Sequence, residues 1–88
     1  MNKELPRPGD TVWYQTDGRN FDYFLPAIVS VTMENQNIEG LTEAGIPLVS
    51  SQDRAHLRVI SPGEDYVEYD VPWSPEGNRR SWRWPERD

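Results

Sequence analysis

The chain has 88 residues, no cysteine and a net charge of −6. That length makes one domain, which buries only roughly 60% of its unfolded surface, and the missing thiols exclude disulfides and thiolate metal sites. The acidity argues against long nucleic acids, whose binding rests on neutralising phosphates with Lys and Arg, and no segment approaches the ~20 apolar residues that cross a bilayer.

The start, Met1 to Pro8, has no apolar run of the kind that opens a secretory leader, so a soluble, untargeted protein is expected. Pro6-Arg7-Pro8-Gly9-Asp10 is a lead-in loop, because prolines lack donors and Gly-Asp is turn chemistry. Thr11 to Thr16 alternates, with Val12 and Tyr14 on one face and Trp13 and Gln15 on the other, as a strand does. Asp17-Gly18 ends it. The loop 19–23 is polar yet holds Phe21 and Tyr23, and loops that display aromatics commonly bind something.

Phe24 to Met33 is the longest apolar run with few charges and is expected to be the central strand. A period of two puts Ala27, Val29, Val31 and Met33 toward the core. Beyond the turn cluster Glu34 to Asn37, Ile38 to Thr42 reads as a short strand weakened by Gly40, and a hairpin at Glu43-Ala44-Gly45 leads to Ile46 to Ser50. Pro47 cannot donate to a ladder and marks an edge there. Apolar residues beside that edge, Ile46, Leu48 and Val49, suggest self-association as a dimer.

Ser51 could cap one helical turn before Ala55 to Ile60, whose Ala55, Leu57 and Val59 point inward. Asp65 to Val71 alternates, with Val67, Tyr69 and Val71 on one face and Tyr66, Glu68 and Asp70 on the wet one. Pro72 to Asn78 is a loop, and Arg79 to Trp84 is the last strand, stopped by Pro85. Arg80, Trp82 and Trp84 share one of its faces, and Arg79, Ser81 and Arg83 the other. Short strands at regular spacing, with no long helical period, predict an all-β fold: a small SH3-like barrel of five to seven short antiparallel strands.

Gly9-Asp10-Thr11-Val12-Trp13 followed by Leu25-Pro26-Ala27-Ile28-Val29 resembles the first two strands of PWWP and Tudor domains. Those are SH3-like barrels that read methylated tails with an aromatic cage. The cage aromatic before Pro-Ala is Leu25 here and the Pro-Trp-Trp-Pro signature is absent, so the resemblance implies the fold and not the reading function. The close, Ser81-Trp82-Arg83-Trp84-Pro85-Glu86, resembles small uncharacterised proteins of actinobacteria and tailed phages that end in Trp-x-Trp-Pro-Glu. That likeness implies a phage or prophage origin, hence a host cytoplasm or a virion.

Catalysis finds few candidates. His56, the one histidine, lies in an apolar alternating run and reads as a hydrogen-bonded strand residue rather than a general base. Glu68 and Asp70 could share a cation, but a solvated acidic strand explains them better, and neither cofactor nor metal is expected. Binding finds more. Residues 1 to 78 carry five basic and thirteen acidic side chains, whereas 79 to 88 carry four Arg and two acids. Arg79, Arg80 and Arg83, interleaved with Trp82 and near Trp73, suit a ligand with both a π face and negative charge, with Tyr23 and Phe21 as further candidates.

Two classes of function follow. One is a non-catalytic phage module that captures a small anionic aromatic ligand, such as a nucleotide signal of host defence. The other is a virion decoration or tail component, or a peptide-binding adaptor, with the aromatics as a protein interface. The same residues also admit a purely structural role, in which Trp82 and Trp84 close the barrel and the arginines pair with acidic neighbours.

Overall fold

The computed structural model describes residues 5–17 and 23–85. Five antiparallel strands, β1 (Thr11–Gln15), β2 (Phe24–Val31), β3 (Ala55–Val59), β4 (Tyr66–Val71) and β5 (Ser81–Arg83), form one sheet in the order β4-β3-β2-β1-β5. This is the all-β, SH3-like arrangement expected: a meander whose last strand returns beside the first. The sheet curls because its two outer strands are tied together beyond their own ladders. Trp82 donates its N–H to the Pro72 carbonyl (2.9 Å), accepts from the Ser74 N–H (2.9 Å), and forms a parallel bridge with Trp73.

Alternation decides the inside. Val12 and Tyr14 of β1, Leu25, Ala27 and Val29 of β2, and Leu57 and Val59 of β3 are all buried and join Ala55, Val71 and Trp82 in one core. Trp82 is closed in on every side. Its indole N–H donates to the Asp53 carbonyl at 3.0 Å, and its ring meets Trp84 edge-on at 5.1 Å.

The central strand departs from simple alternation at Ser30. Val29 pairs with Leu57 and Val31 with His56, so one extra residue bulges from β2 and reverses the facing of everything beyond it. Val31 is therefore only half-buried, Met33 is exposed, and Thr32 takes the inward place. A second bulge lies across the sheet, between the Ala55–Val71 and Leu57–Glu68 pairs. Here the expected facing of β4 is reversed: Glu68 shares a face with inward Leu57, whereas Val67 pairs with outward Arg58 and is exposed, as is Tyr69.

His56 sits opposite both bulges and is buried. Its Nδ1 accepts the Asp70 N–H at 2.9 Å, so Nε2 carries the proton and donates to the Pro47 carbonyl at 2.6 Å. A bulge leaves backbone groups unpaired, and this imidazole satisfies one of them. Tyr69 packs edge-on against the ring at 5.1 Å.

The segment expected to be a strand and hairpin is instead a helix, α1 (Ile38–Ala44). Asn37 caps it by accepting the Gly40 N–H, and Gly45 ends it in the left-handed region at φ 73°. The helix buries no residue. Ile46 to Ser50 is likewise no edge strand. The Val49 N–H and C=O are both taken by the Gln36 amide, at 2.9 and 3.3 Å, and Val49 is buried, while Leu48 beside it is exposed.

Two substitutions should separate the core from this excursion. Trp82→Ala removes a buried ring and its hydrogen bond and should cost roughly 3 to 5 kcal/mol. Asn37→Ala removes only a cap and should cost about 1 kcal/mol or less. Urea denaturation of both variants measures the difference, and equal losses would contradict the assigned burial.

Candidate functional site

At one end of the barrel the end of β1, Tyr23 just ahead of β2, the start of β4 and the turn before β5 converge. Tyr14 is buried to 1% exposure, and its hydroxyl is hydrogen-bonded to Glu68. Glu68 is aimed inward by the β4 bulge and meets the Arg80 guanidinium at 3.6 Å. Tyr66 lies within electrostatic reach of both Glu68 and Tyr23. Three phenols, one carboxylate and one guanidinium thus share one mouth.

Local structure places each of them. Thr16 fixes the base of the β1–β2 connection, since its N–H and hydroxyl both donate to the Tyr23 carbonyl, at 3.1 and 2.9 Å. Arg80 occupies the left-handed region at φ 60°, which costs a non-glycine residue of order 1 to 3 kcal/mol. Its N–H donates to the Gln15 carbonyl at 2.8 Å, so the turn is held by the end of β1 while the side chain crosses to Glu68.

The phenols at the mouth register Glu68. Burial, then the Glu68 charge, pushes the Tyr14 hydroxyl well above its ordinary value near 10. Burial and Glu68 also push Tyr66 up. Both phenols feel the carboxylate more than the cation. Burial, the larger cause, opposes charge of either sign there; the Glu68 share alone favours a positively charged guest.

The residues singled out from sequence do not form one site. Arg80 and Tyr23 are at the mouth. Trp82 is in the core and presents no face to a ligand, because the alternation that put it beside Trp84 points it inward. Trp73 packs half-buried against that core, and Arg79 is exposed in the turn before β5. Phe21 lies outside the described residues.

Arg83 is on the opposite face of the sheet, paired across the strands with Trp13. Its guanidinium lies over the Phe24 ring, 4.8 Å from the centroid, and Phe24 meets Trp13 edge-on at 4.9 Å. Gly77 makes room for that guanidinium: a Cβ there would lie 2.6 Å from Arg83 Nη1, and φ is 79°.

Tyr14, Tyr66 and Glu68 escaped the sequence reading. Tyr14 looked like core alone, and Glu68 looked solvated because the bulge that turns it inward leaves no mark in the alternation. Asp70, expected beside Glu68, is instead bound to the Ser50 N–H and hydroxyl, at 3.0 and 2.8 Å, with Arg54 at 3.7 Å. Among the described residues, no group of three or more His, Asp or Glu could hold a metal ion, and no helix is long and apolar enough to cross a membrane. Comparison with protein-family models, with curated proteins and with solved structures finds no match.

Tyr14 makes stability depend on alkaline pH. Its folded value is raised, so the stability it contributes is full below the unfolded value near 10 and is lost as pH rises through and beyond it. Denaturant midpoints measured from pH 9 to 11.5 should fall, by up to about 1.4 kcal/mol per pH unit for this group. In Tyr14→Phe the fall should be shallower; an unchanged slope would contradict the assignment.

Proposed function

We propose that the protein is a non-catalytic binding module that takes a basic side chain of a protein partner at the barrel mouth. One observation carries the reading: the inward carboxylate of Glu68 lies beside the Tyr14 and Tyr66 phenols and is paired only at 3.6 Å with an exposed guanidinium, that of Arg80. An Arg or Lys of the partner would meet Glu68 as acceptor and the half-exposed rings of Tyr23 and Tyr66 as cation–π faces. The net charge of −6 adds long-range steering toward basic surfaces.

Arg80 fits this role as a resident guanidinium. Its side chain is 63% exposed and its contact with Glu68 is long, so an incoming cation can share or replace that pairing without unfolding the barrel. The aromatics then serve as a protein interface, as a peptide-binding adaptor or a virion component would use them.

A second reading, capture of a small anionic ring such as a nucleotide signal of host defence, is favoured by the Arg83–Phe24–Trp13 stack on the other face. A thermal-shift screen with nucleoside mono- and triphosphates addresses it. A ligand at 100 times its Kd adds roughly 2.7 kcal/mol, and a shift lost in Arg83→Gln would support this reading over the first.

The primary reading is tested with a hexa-arginine peptide, with hexaglutamate as control, followed by NMR of the tyrosine rings. Hexa-arginine should move the Tyr23 and Tyr66 resonances, and Glu68→Gln should weaken binding at least about tenfold through loss of a charge-assisted hydrogen bond. Shifts spread over the acidic surface and unchanged by Glu68→Gln would overturn it.

A further inference from the structure

One side of β4 has no neighbour. The strand pairs with β3 alone, and the chain beyond it meets β5 only at the Trp73–Trp82 bridge. Among the described residues, Tyr66 to Tyr69 make no backbone hydrogen bond outside the β3 ladder. Open edges are ordinarily blunted by Pro, Lys or a bulge. Tyr66 to Tyr69 contains neither Pro nor Lys, and the bulge and the left-handed Asp70, at φ 53°, come at its far end.

Charge selects the occupant. Residues 64–71 carry Glu64, Asp65, Glu68 and Asp70 and no Lys or Arg, so two copies joined edge to edge would set carboxylates against carboxylates, which is destabilising. A basic segment meets the reverse. Glu68 keeps acceptor capacity for it, because Arg80 at 3.6 Å is too far for a charge-assisted hydrogen bond. The strand also sets the pattern of the guest: Tyr66 and Glu68 share one face, and the exposed Val67 and Tyr69 share the other.

We infer, resting on the mouth as the place of a basic side chain, that the edge of β4 takes an extended segment of a partner in which Arg or Lys alternates with aliphatic residues. The segment adds to the sheet as a further strand. Its basic side chains fall on the face of Glu68, and its aliphatic ones lie against Val67 and Tyr69.

The probe is a capped hexapeptide of alternating Arg and Val, titrated into the full chain, with two further forms N-methylated on all Val or on all Arg nitrogens. An added strand turns only alternate N–H groups toward its neighbour, so one methylated form should bind at least about tenfold more weakly than the other. By NMR, alternate amides among residues 66–69 should exchange at least about tenfold more slowly in the complex, and a hexapeptide of alternating Glu and Val should not bind. Equal affinity of the two methylated forms, amides left unprotected, or binding of the acidic peptide would overturn the inference. So would protection of the same amides by raised protein concentration alone, since a second copy would then hold the edge. Affinity that falls in Glu68→Gln but is equal for the two methylated forms overturns the added strand and leaves the mouth, whereas affinity indifferent to Glu68→Gln overturns both.

Discussion

Trp82 is the contact on which this small fold turns. Its backbone sutures β5 to the chain leaving β4, its indole N–H reaches back to Asp53 ahead of β3, and its ring holds Trp84. A five-stranded sheet of 88 residues has two open edges and little core to spare. Closing it through one tryptophan converts a ribbon into a barrel. Only then do Arg80, just ahead of β5, and Glu68, on β4, come within 3.6 Å.

The two bulges give the barrel its polar interior. Each displaces one residue and reverses the strand beyond it, and together they leave His56 satisfying a backbone donor while Glu68 is turned toward Tyr14. An inward carboxylate is costly unless it is hydrogen-bonded and paired. Glu68 has both partners, the Tyr14 hydroxyl and Arg80, and remains partly open to solvent. Asp70, as open to solvent, is likewise satisfied by Ser50 and Arg54, so what sets Glu68 apart is the phenols beside it.

Much of the barrel is legible in the sequence. Val12 and Tyr14, Ala27 and Val29, and Leu57 and Val59 alternate as they are buried, while the last strand is shorter than expected, Ser81–Arg83, because Arg79 and Arg80 belong to the turn before it. What could not be read depends on partners distant in sequence. The facing of Val31, Met33, Val67 and Tyr69 is set by bulges, which come from pairing and not from composition. The helix α1 did carry a signal, Asn37 and Gly45 as caps with Ile38 and Leu41 three apart, but a helix that buries nothing has no apolar stripe to announce it. Arg80 and Tyr23, singled out from sequence, lie together at the mouth, and their separation from Arg83 follows from which face of the sheet each one occupies.

The central claim, that the mouth is a negatively charged aromatic surface, is tested most directly with small paramagnetic probes of opposite charge. Relaxation of the ring protons of Tyr23 and Tyr66, compared with those of exposed Tyr69 on the outer face, reads the local potential without requiring a ligand. A cationic nitroxide should broaden Tyr23 and Tyr66 more than an anionic one, and more selectively than it broadens Tyr69. Stronger broadening of those two rings by the anionic probe would contradict the account.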